Sequence, residues 1–253
     1  MTDYKMIKLL MPTYHRAEEL HCCLNALKSQ IVVERMGPEQ LQIFIYDNNS
    51  DEDVKTILKL FDKEIPRYCN IVCGSQNIGK AKALNTFTPD IDDGDVVVSL
   101  DSDLVIEPGS FFSLGRNIIR RDVASVIVAE QSGDFCHKLT GDWLSHQDFH
   151  YKQESQGMGI AGGCLFINGK TWRAVGGYRM NRGIYGGNDG WLLFDAAKFT
   201  GKPVLIIKEI TVCHPEEKDD EYRKWKKEAH EQQDVHGRCL FETGYYENKM
   251  KTF

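Results

Sequence analysis

Val96-Val97-Val98-Ser99-Leu100-Asp101-Ser102-Asp103 decides the fold. The first five residues form an apolar run with no polar alternation, which reads as a strand covered on both faces. The run stops at two carboxylates two residues apart. A chain leaving a sheet at that point can turn both of them toward a cleft outside the strand's carboxyl end, where open α/β sheets bind their ligands. Two carboxylates in a turn are oxygen donors suited to a hard cation such as Mg²⁺ or Mn²⁺, which keeps further positions open for phosphate and water. An acidic turn of no function has the same local sequence, so the neighbouring segments carry the decision.

Upstream, strand and helix patterns alternate. Met6–Met11 is a short apolar run that stops at Pro12. Ala17–Gln30 carries Leu20, Cys23, Leu24 and Leu27 at helical spacing. Leu41–Tyr46 reads as a second strand, closed by Asp47-Asn48-Asn49-Ser50-Asp51, with Ser50 or Asp51 as the cap of the helix that follows. Asn70–Cys73 is a third strand and Lys80–Phe87 a short helix. Beyond Asp103, Phe111–Ile119 reads as a helix and Val123–Ala129 as a fifth strand. This order predicts an α/β fold with a parallel sheet and helices on both faces. The polar clusters Thr13–Arg16, Asp47–Asp51, Gly74–Lys80 and Asp101–Asp103 all fall at strand ends, and that coincidence weighs more than any one of them.

The second half is less regular. Gly157-Met158-Gly159-Ile160-Ala161-Gly162 matches G-x-G-x-x-G letter for letter. His150–Gln156 before it is polar rather than strand-like, and Cys164–Ile167 after it reads as a strand rather than a helix, so the dinucleotide reading lacks its context. A helix is expected from about Gly190 to Phe199, opened by Asn188 and Asp189. Locally these two residues read equally well as a cap with a dipole-favouring acid, or as a general base aimed into a cleft. Val204–Ile207 and Thr211–Cys213 read as two further strands, and the tail from Lys218 as an amphipathic helix. His146 and His150, four apart, could share a helix face, but with no third ligand nearby they read as ordinary polar residues.

The 253 residues, 42% hydrophobic and 27% charged, carry a net charge of −6. They read as one domain: a nucleotide-binding half over about 1–130, an acceptor half over about 131–215 and a helical tail over 216–253. The charge disfavours a uniform grip on nucleic acid or anionic lipid, although Arg223–Lys227 forms a local basic cluster. No apolar run approaches the roughly 20 residues that span a bilayer, and the first residues do not pattern as a signal peptide. The eight cysteines form no C-x-x-C pair and several lie in apolar runs, which suits reduced thiols in the cytoplasm.

Taken together, these segments resemble the family 2 glycosyltransferases, which have the GT-A fold. Pro12-Thr13-Tyr14-His15-Arg16 resembles the exit of their first strand, with His15 in place of the usual Asn. Asp47–Asp51 resembles their nucleotide-binding turn, Asn77–Asn85 their N-x-G-x-x-x-A-x-N segment, and Asp101-Ser102-Asp103 their D-x-D motif. Gly176-Gly177-Tyr178 through Asn188-Asp189 resembles their G-G-[FY]…E-D region, with Asn188 replacing Glu. The resemblance implies a Rossmann-like, mostly parallel sheet and an inverting transfer of a sugar from a nucleotide-sugar, a UDP-sugar being the expected donor. It places the donor against Thr13, Arg16, Asp47, Asn77, Lys80, Asp101 and Ser102, with Lys80 and Asp101 at the ribose or diphosphate. It places Mn²⁺ or Mg²⁺ on Asp103 and His214, and the general base on Asp189. Tyr185, Asn188 and Trp191 would meet the acceptor, with Trp172 a further aromatic candidate. A saccharide is the expected acceptor, and the basic cluster keeps a hydroxylated base in DNA as another. A nucleotidyltransferase shares the need for metal and nucleotide but would show a glycine-rich basic loop where Pro12–Arg16 stands. A degenerate binding module is favoured only by Asn188.

Overall fold

A computed structural model describes residues 6–119, 123–130, 144–146, 149–154, 163–179 and 188–213, together with Lys224 and Glu228. The expected tail of 216–253 lies outside the described residues apart from those two, each of which is helical.

The apolar runs become strands β1 (Ile7–Thr13), β2 (Leu41–Asp47), β3 (Cys69–Cys73) and β4 (Val96–Leu100), all mutually parallel in the order β3-β2-β1-β4. Their two-residue period feeds two separate cores. From β1, Ile7, Leu9 and Met11 point to one face, under helices α1 (Ala17–Val33), α2 (Glu52–Glu64) and α4 (Phe111–Ile119). Leu10 points to the other face, with Phe44 and Val97, under α3 (Lys80–Asn85), α5 (Gly169–Val175) and α6 (Asn188–Thr200). Every residue of β4 is buried, as its unbroken apolar run requires.

Past β4 the sheet continues through β9 (Cys164–Asn168), β6 (Ser125–Glu130), β10 (Val204–Cys213), β8 (Phe149–Glu154) and β7 (Leu144–His146), while the two-residue β5 (Val105–Ile106) pairs with β10. β9 runs antiparallel to both β4 and β6, so the sheet is mostly rather than wholly parallel.

Several expectations change here. Val204–Ile207 and Thr211–Cys213 belong to one strand, β10, whose register on β6 shifts between Ile207 and Thr211; a bulge absorbs the polar interruption at Lys208-Glu209 without ending the ladder. His150–Gln156 was expected not to be a strand, yet Phe149–Glu154 is β8. Pairing with β10 supplies its hydrogen bonds, so tertiary context overrides a polar sequence. His146 and His150 therefore sit in adjacent strands of a hairpin, not on one helix face. The dinucleotide motif itself lies largely outside the described residues, and the strand β9, not a helix, follows it. Helix α5 has no counterpart in the periodicity reading. It is short, capped by the Asn168 side chain and stopped by Gly176 in the left-handed region.

Candidate active site

Because β1–β4 are parallel, the four polar clusters gather along one edge of the sheet. The chain leaves β1 toward β2 on one side, while β4 lies on the other, so β1/β4 is the point where the winding reverses and a crevice opens.

At the β1 exit Thr13 is buried and faces Asp47 in register. His15 (φ 53°) and Arg16 (φ 61°, ψ 57°) then both adopt left-handed backbone, which costs a side-chain-bearing L-residue roughly 1–2 kcal/mol each. The His15 N–H donates to Ser50 Oγ at 2.9 Å, and its ring Nδ1 lies 2.9 Å from Asp51 Oδ2. The other oxygen of Asp51 accepts from Val54 N–H at 3.0 Å, so one carboxylate caps α2 and meets His15. The Val54 and His15 hydrogen bonds together hold the Asp51 carboxyl below its ordinary range.

The β2 exit gathers buried polar side chains. Asp47 is fully buried; its Oδ1 accepts from Ser50 N–H at 3.0 Å, whereas its Oδ2 and the neighbouring Thr13 Oγ1 have no hydrogen-bond partner. Gly74 lies against them. A methyl group there would lie 2.9 Å from the Tyr46 hydroxyl and 3.1 Å from the Asp47 carbonyl oxygen. The Asn77 side chain accepts from Gly79 N–H at 2.9 Å, and Asn48 accepts from Ile78 N–H at 3.1 Å, so the loop leading to α3 is tied to the β2 exit.

Lys80 joins the remaining pieces. Its Nζ lies 2.6 Å from Asp101 Oδ1 and 2.9 Å from Asp189 Oδ1, ion pairs whose angles fall outside hydrogen-bond geometry. Burial works against the ammonium charge, but Asp101 and Asp189 outweigh it and hold Lys80 well above its usual range. Burial also pushes the Asp101 carboxyl up to about 7; Asp189 and Asp103 add to the rise and Lys80 opposes it. Ser102 is half-buried between the two carboxylates of the turn. Asp103 Oδ2 meets Arg16 Nη1 at 2.5 Å, and Arg16 Nη2 reaches Glu19 at 3.1 Å. The crevice is thus spanned from β1 to β4 by Arg16–Asp103, and from α3 to α6 by Lys80.

Asp189 stands in the first turn of α6, which begins at Asn188 itself. Two residues on, half-buried Trp191 carries the Arg179 guanidinium 4.4 Å from its ring centre, and Arg179 also makes a two-pronged bond to Asp195. Trp172 is fully buried, with its indole N–H on Thr88 Oγ1 at 3.1 Å; it is a core residue and not an aromatic platform. Tyr185 and His214 lie outside the described residues, as does the side chain of Asn188.

Other residues hold this arrangement without having been singled out for it. The Tyr178 hydroxyl donates to Ser99 Oγ at 2.8 Å, two residues before Asp101, and its ring lies 5.6 Å from Lys80 Nζ. Asn85 donates to the Tyr178 carbonyl at 2.7 Å and accepts from its N–H at 2.9 Å. A side chain at Gly177 (φ 69°) would collide with that Asn85 amide. Asn85 and Tyr178 were visible as motif members, but their pairing across 93 residues leaves no local signal. Gly163 N-terminal to β9 accepts from Asp101 N–H at 2.7 Å, and Cys23 lies under the same turn, its thiol pKa raised by burial and by Asp103 and Asp101.

The donor set suits a hard cation in one respect. Asp101 and Asp103 set two carboxylates in the turn after β4, and each is now held by a cationic side chain, Lys80 and Arg16 respectively. Among the described residues no three His, Cys, Asp or Glu side chains gather into a closed cage. Mg²⁺-type sites take one or two protein carboxylates and share the ion with substrate phosphate.

Comparison with known proteins agrees with this geometry. No curated protein matches the chain. A mannosyltransferase from Pyrobaculum calidifontis, solved with GDP-mannose and Mn²⁺, superposes with a TM-score of 0.68 at 17% identity, over 87% of this chain and 59% of that one. GalNAc-T7, solved with UDP, GalNAc and Mn²⁺, gives 0.61 at 12% identity, over 85% and 44%. TarS residues 1–349 from S. aureus, solved with UDP-GlcNAc, give 0.58 at 14% identity, over 84% and 60%. The chain thus spans about half of these proteins' lengths, and at such identities the likeness is one of fold: the GT-A fold. The profile of glycosyl transferase family 2 matches residues 9–170, well over half the chain, and the protein belongs to that family.

Proposed function

We propose that this family member is an inverting glycosyltransferase that moves a sugar from a nucleoside-diphosphate sugar to an acceptor hydroxyl, with Asp189 as the general base. The observation that carries the reading is Lys80. One ammonium joins the first carboxylate of the D-x-D turn to a carboxylate in the first turn of α6, so leaving-group and proton-accepting chemistry meet at one point.

In the transfer, the acceptor oxygen forms a bond to the anomeric carbon while the bond from that carbon to the diphosphate oxygen breaks. The electron pair leaves with the diphosphate, and the acceptor's proton passes to a carboxylate oxygen of Asp189. Attack from the face opposite the diphosphate inverts the anomeric centre. Lys80 and Arg16, now paired with carboxylates, are the cations available to a bound diphosphate. Their partial transfer to phosphate oxygens relieves Asp189 of its counter-ion when the donor is in place. A divalent ion, Mn²⁺ or Mg²⁺, on Asp103 with His214 supplies further charge to the departing diphosphate when bound.

The buried, unpartnered oxygens of Thr13 and Asp47 support uracil as the donor base. One oxygen of Asp47 is engaged by Ser50, leaving Oδ2 as a single acceptor beside the Thr13 hydroxyl. Uracil presents one ring N–H flanked by carbonyls and fits that pair, whereas guanine presents two adjacent donors that call for both carboxylate oxygens. Asn77 and Ser102 complete the donor site. Trp191, Tyr185 and Asn188 are assigned to a saccharide acceptor. The cytoplasm is the proposed setting, which the cysteine pattern of the sequence, eight cysteines without a C-x-x-C pair, suits.

The test is Asp189→Asn, measured for UDP binding with Mn²⁺ and for UDP release from a panel of UDP-sugars with acceptor saccharides. Binding within about threefold of wild type and turnover lower by about 10²–10⁴ are expected. Normal turnover would place the base elsewhere.

A further inference from the structure

We infer that His15 is a positioning residue: clasped to the neighbouring strand exit by Ser50 and Asp51, it holds the left-handed turn that aims Arg16 at Asp103. The consequence for donor affinity rests on the glycosyltransferase reading above; the geometric claim does not.

Arg16 occupies the N-cap position of α1, where its carbonyl accepts from Leu20 N–H at 3.0 Å. Its side chain makes no capping bond. A cation at a helix N-terminus also opposes the helix dipole. Two adjacent side-chain-bearing residues in left-handed backbone are strained, and strain of this kind persists only where surrounding contacts over-determine it. The other end of the contact shows what the strain achieves. The Arg16 side chain is only 5% exposed and reaches Asp103, 87 residues away, across the β1/β4 crevice.

His15 is the residue whose contacts fix that conformation from outside. Its N–H is held by the Ser50 hydroxyl, itself buried, and its ring by Asp51, whose other oxygen is anchored on the first turn of α2. The ring also lies edge-on to Tyr14, 4.2 Å between centroids. Three contacts therefore converge on one side chain and its own backbone N–H, while the next residue makes the functional contact. An alanine at 15 keeps the backbone bond but loses the ring clasp, and the turn can relax. An asparagine loses part of the clasp but tolerates left-handed backbone better than most residues.

The experiment is a double-mutant cycle of His15→Ala and Arg16→Gln on the full chain, read in two ways. The first is UDP affinity by calorimetry with Mn²⁺ present. His15→Ala is expected to weaken UDP about five- to tenfold in wild type and less than about twofold once Arg16 is Gln, because it acts through Arg16. His15→Asn should recover most of the loss. In turnover the same loss should appear in the donor KM, with kcat at saturating donor nearly unchanged. The second reading is denaturant unfolding of the same four proteins without ligand, where the two substitutions should be non-additive. Additive effects in unfolding, or His15→Ala within about twofold of wild-type UDP affinity in a protein that binds UDP, would overturn the inference. If wild type binds neither UDP nor GDP, the donor reading falls and the unfolding cycle still decides the role of His15.

Discussion

At the residue scale, burial and like charge make Asp101 the group whose protonation reports on the site. Its carboxyl is raised to about 7 by burial first and by Asp189 and Asp103 next, against the pull of Lys80. In the unfolded chain an Asp titrates near 3.9. Between those values the folded protein holds a proton that the unfolded chain has released, so the folded state is favoured at the acid end and loses that contribution as pH rises through about 7. Asp101→Asn imitates the protonated form at every pH. Its thermal midpoint relative to wild type, without metal or nucleotide, should therefore climb between about pH 5 and about pH 8. A difference that stays constant over that range would mean that Asp101 ionises normally. Lys80→Met acts at the same point from the other side. It leaves Asp101 and Asp189 facing one another without their shared cation, so the apo protein should be less stable than wild type in urea denaturation at neutral pH.

At the element scale, what could be read from the sequence and what could not divide along the distance between partners. β1–β4 and α1, α2 and α4 follow from local periodicity, because each buries a pattern written within a dozen residues. The strand-end clusters were legible for the same reason: a polar turn directly after an apolar run is a local signal. β8 was not legible, since Phe149-His150-Tyr151-Lys152-Gln153-Glu154 becomes a strand only beside β10, fifty residues on. Neither was the cap of α4. The Glu34 carboxylate, just past the end of α1, accepts from Phe112 N–H at 2.6 Å and Ser113 N–H at 2.7 Å, while Gln30 and Gly109 exchange two hydrogen bonds beside it. The carboxylate that holds these two N–H groups arrives from 78 residues away, beyond the reach of any local pattern. Glu34→Ala removes both acceptors from the N-terminal turn of a helix packed on the core. It should lower unfolding free energy by about 1–2 kcal/mol, measured by urea denaturation, and leave UDP affinity unchanged because α4 contributes nothing to the crevice. A loss of UDP affinity in this variant would mean that the β5–α4 region communicates with the D-x-D turn.

At the scale of the whole molecule, the site is a place where separately folded signals converge, and that makes ligand binding a global property. Thr13 and Arg16 come from the β1 exit, Asp47 from β2, Lys80 from the first position of α3, Asp101 and Asp103 from the turn after β4, and Asp189 from α6. Arg16–Asp103, Lys80–Asp101, Lys80–Asp189 and Tyr178–Ser99 already cross between these segments. A nucleotide that binds them together is bound only by the native state, and stabilises it by RT ln(1 + [L]/Kd), about 2.7 kcal/mol at a hundredfold excess over Kd. In a protein of this length that corresponds to a rise in thermal midpoint of about 5–10 °C. UDP with Mn²⁺ should give such a shift and GDP a clearly smaller one. The discrimination should reside in Asp47, because its Oδ2 is a buried carboxylate oxygen at the β2 exit with no hydrogen-bond partner. Asp47→Asn can place an amide N–H₂ where that oxygen was, facing the ring N–H of uracil with a second donor. The UDP shift should then collapse toward the GDP value, while the apo midpoint changes far less, since the backbone turn around Ser50 keeps an acceptor in the Asn carbonyl. Equal shifts from UDP and GDP in wild type, or an undiminished UDP shift in Asp47→Asn, would move base recognition out of the β2 exit and leave Arg16 and Lys80, which see only phosphate and carboxylate, as the whole of the nucleotide grip.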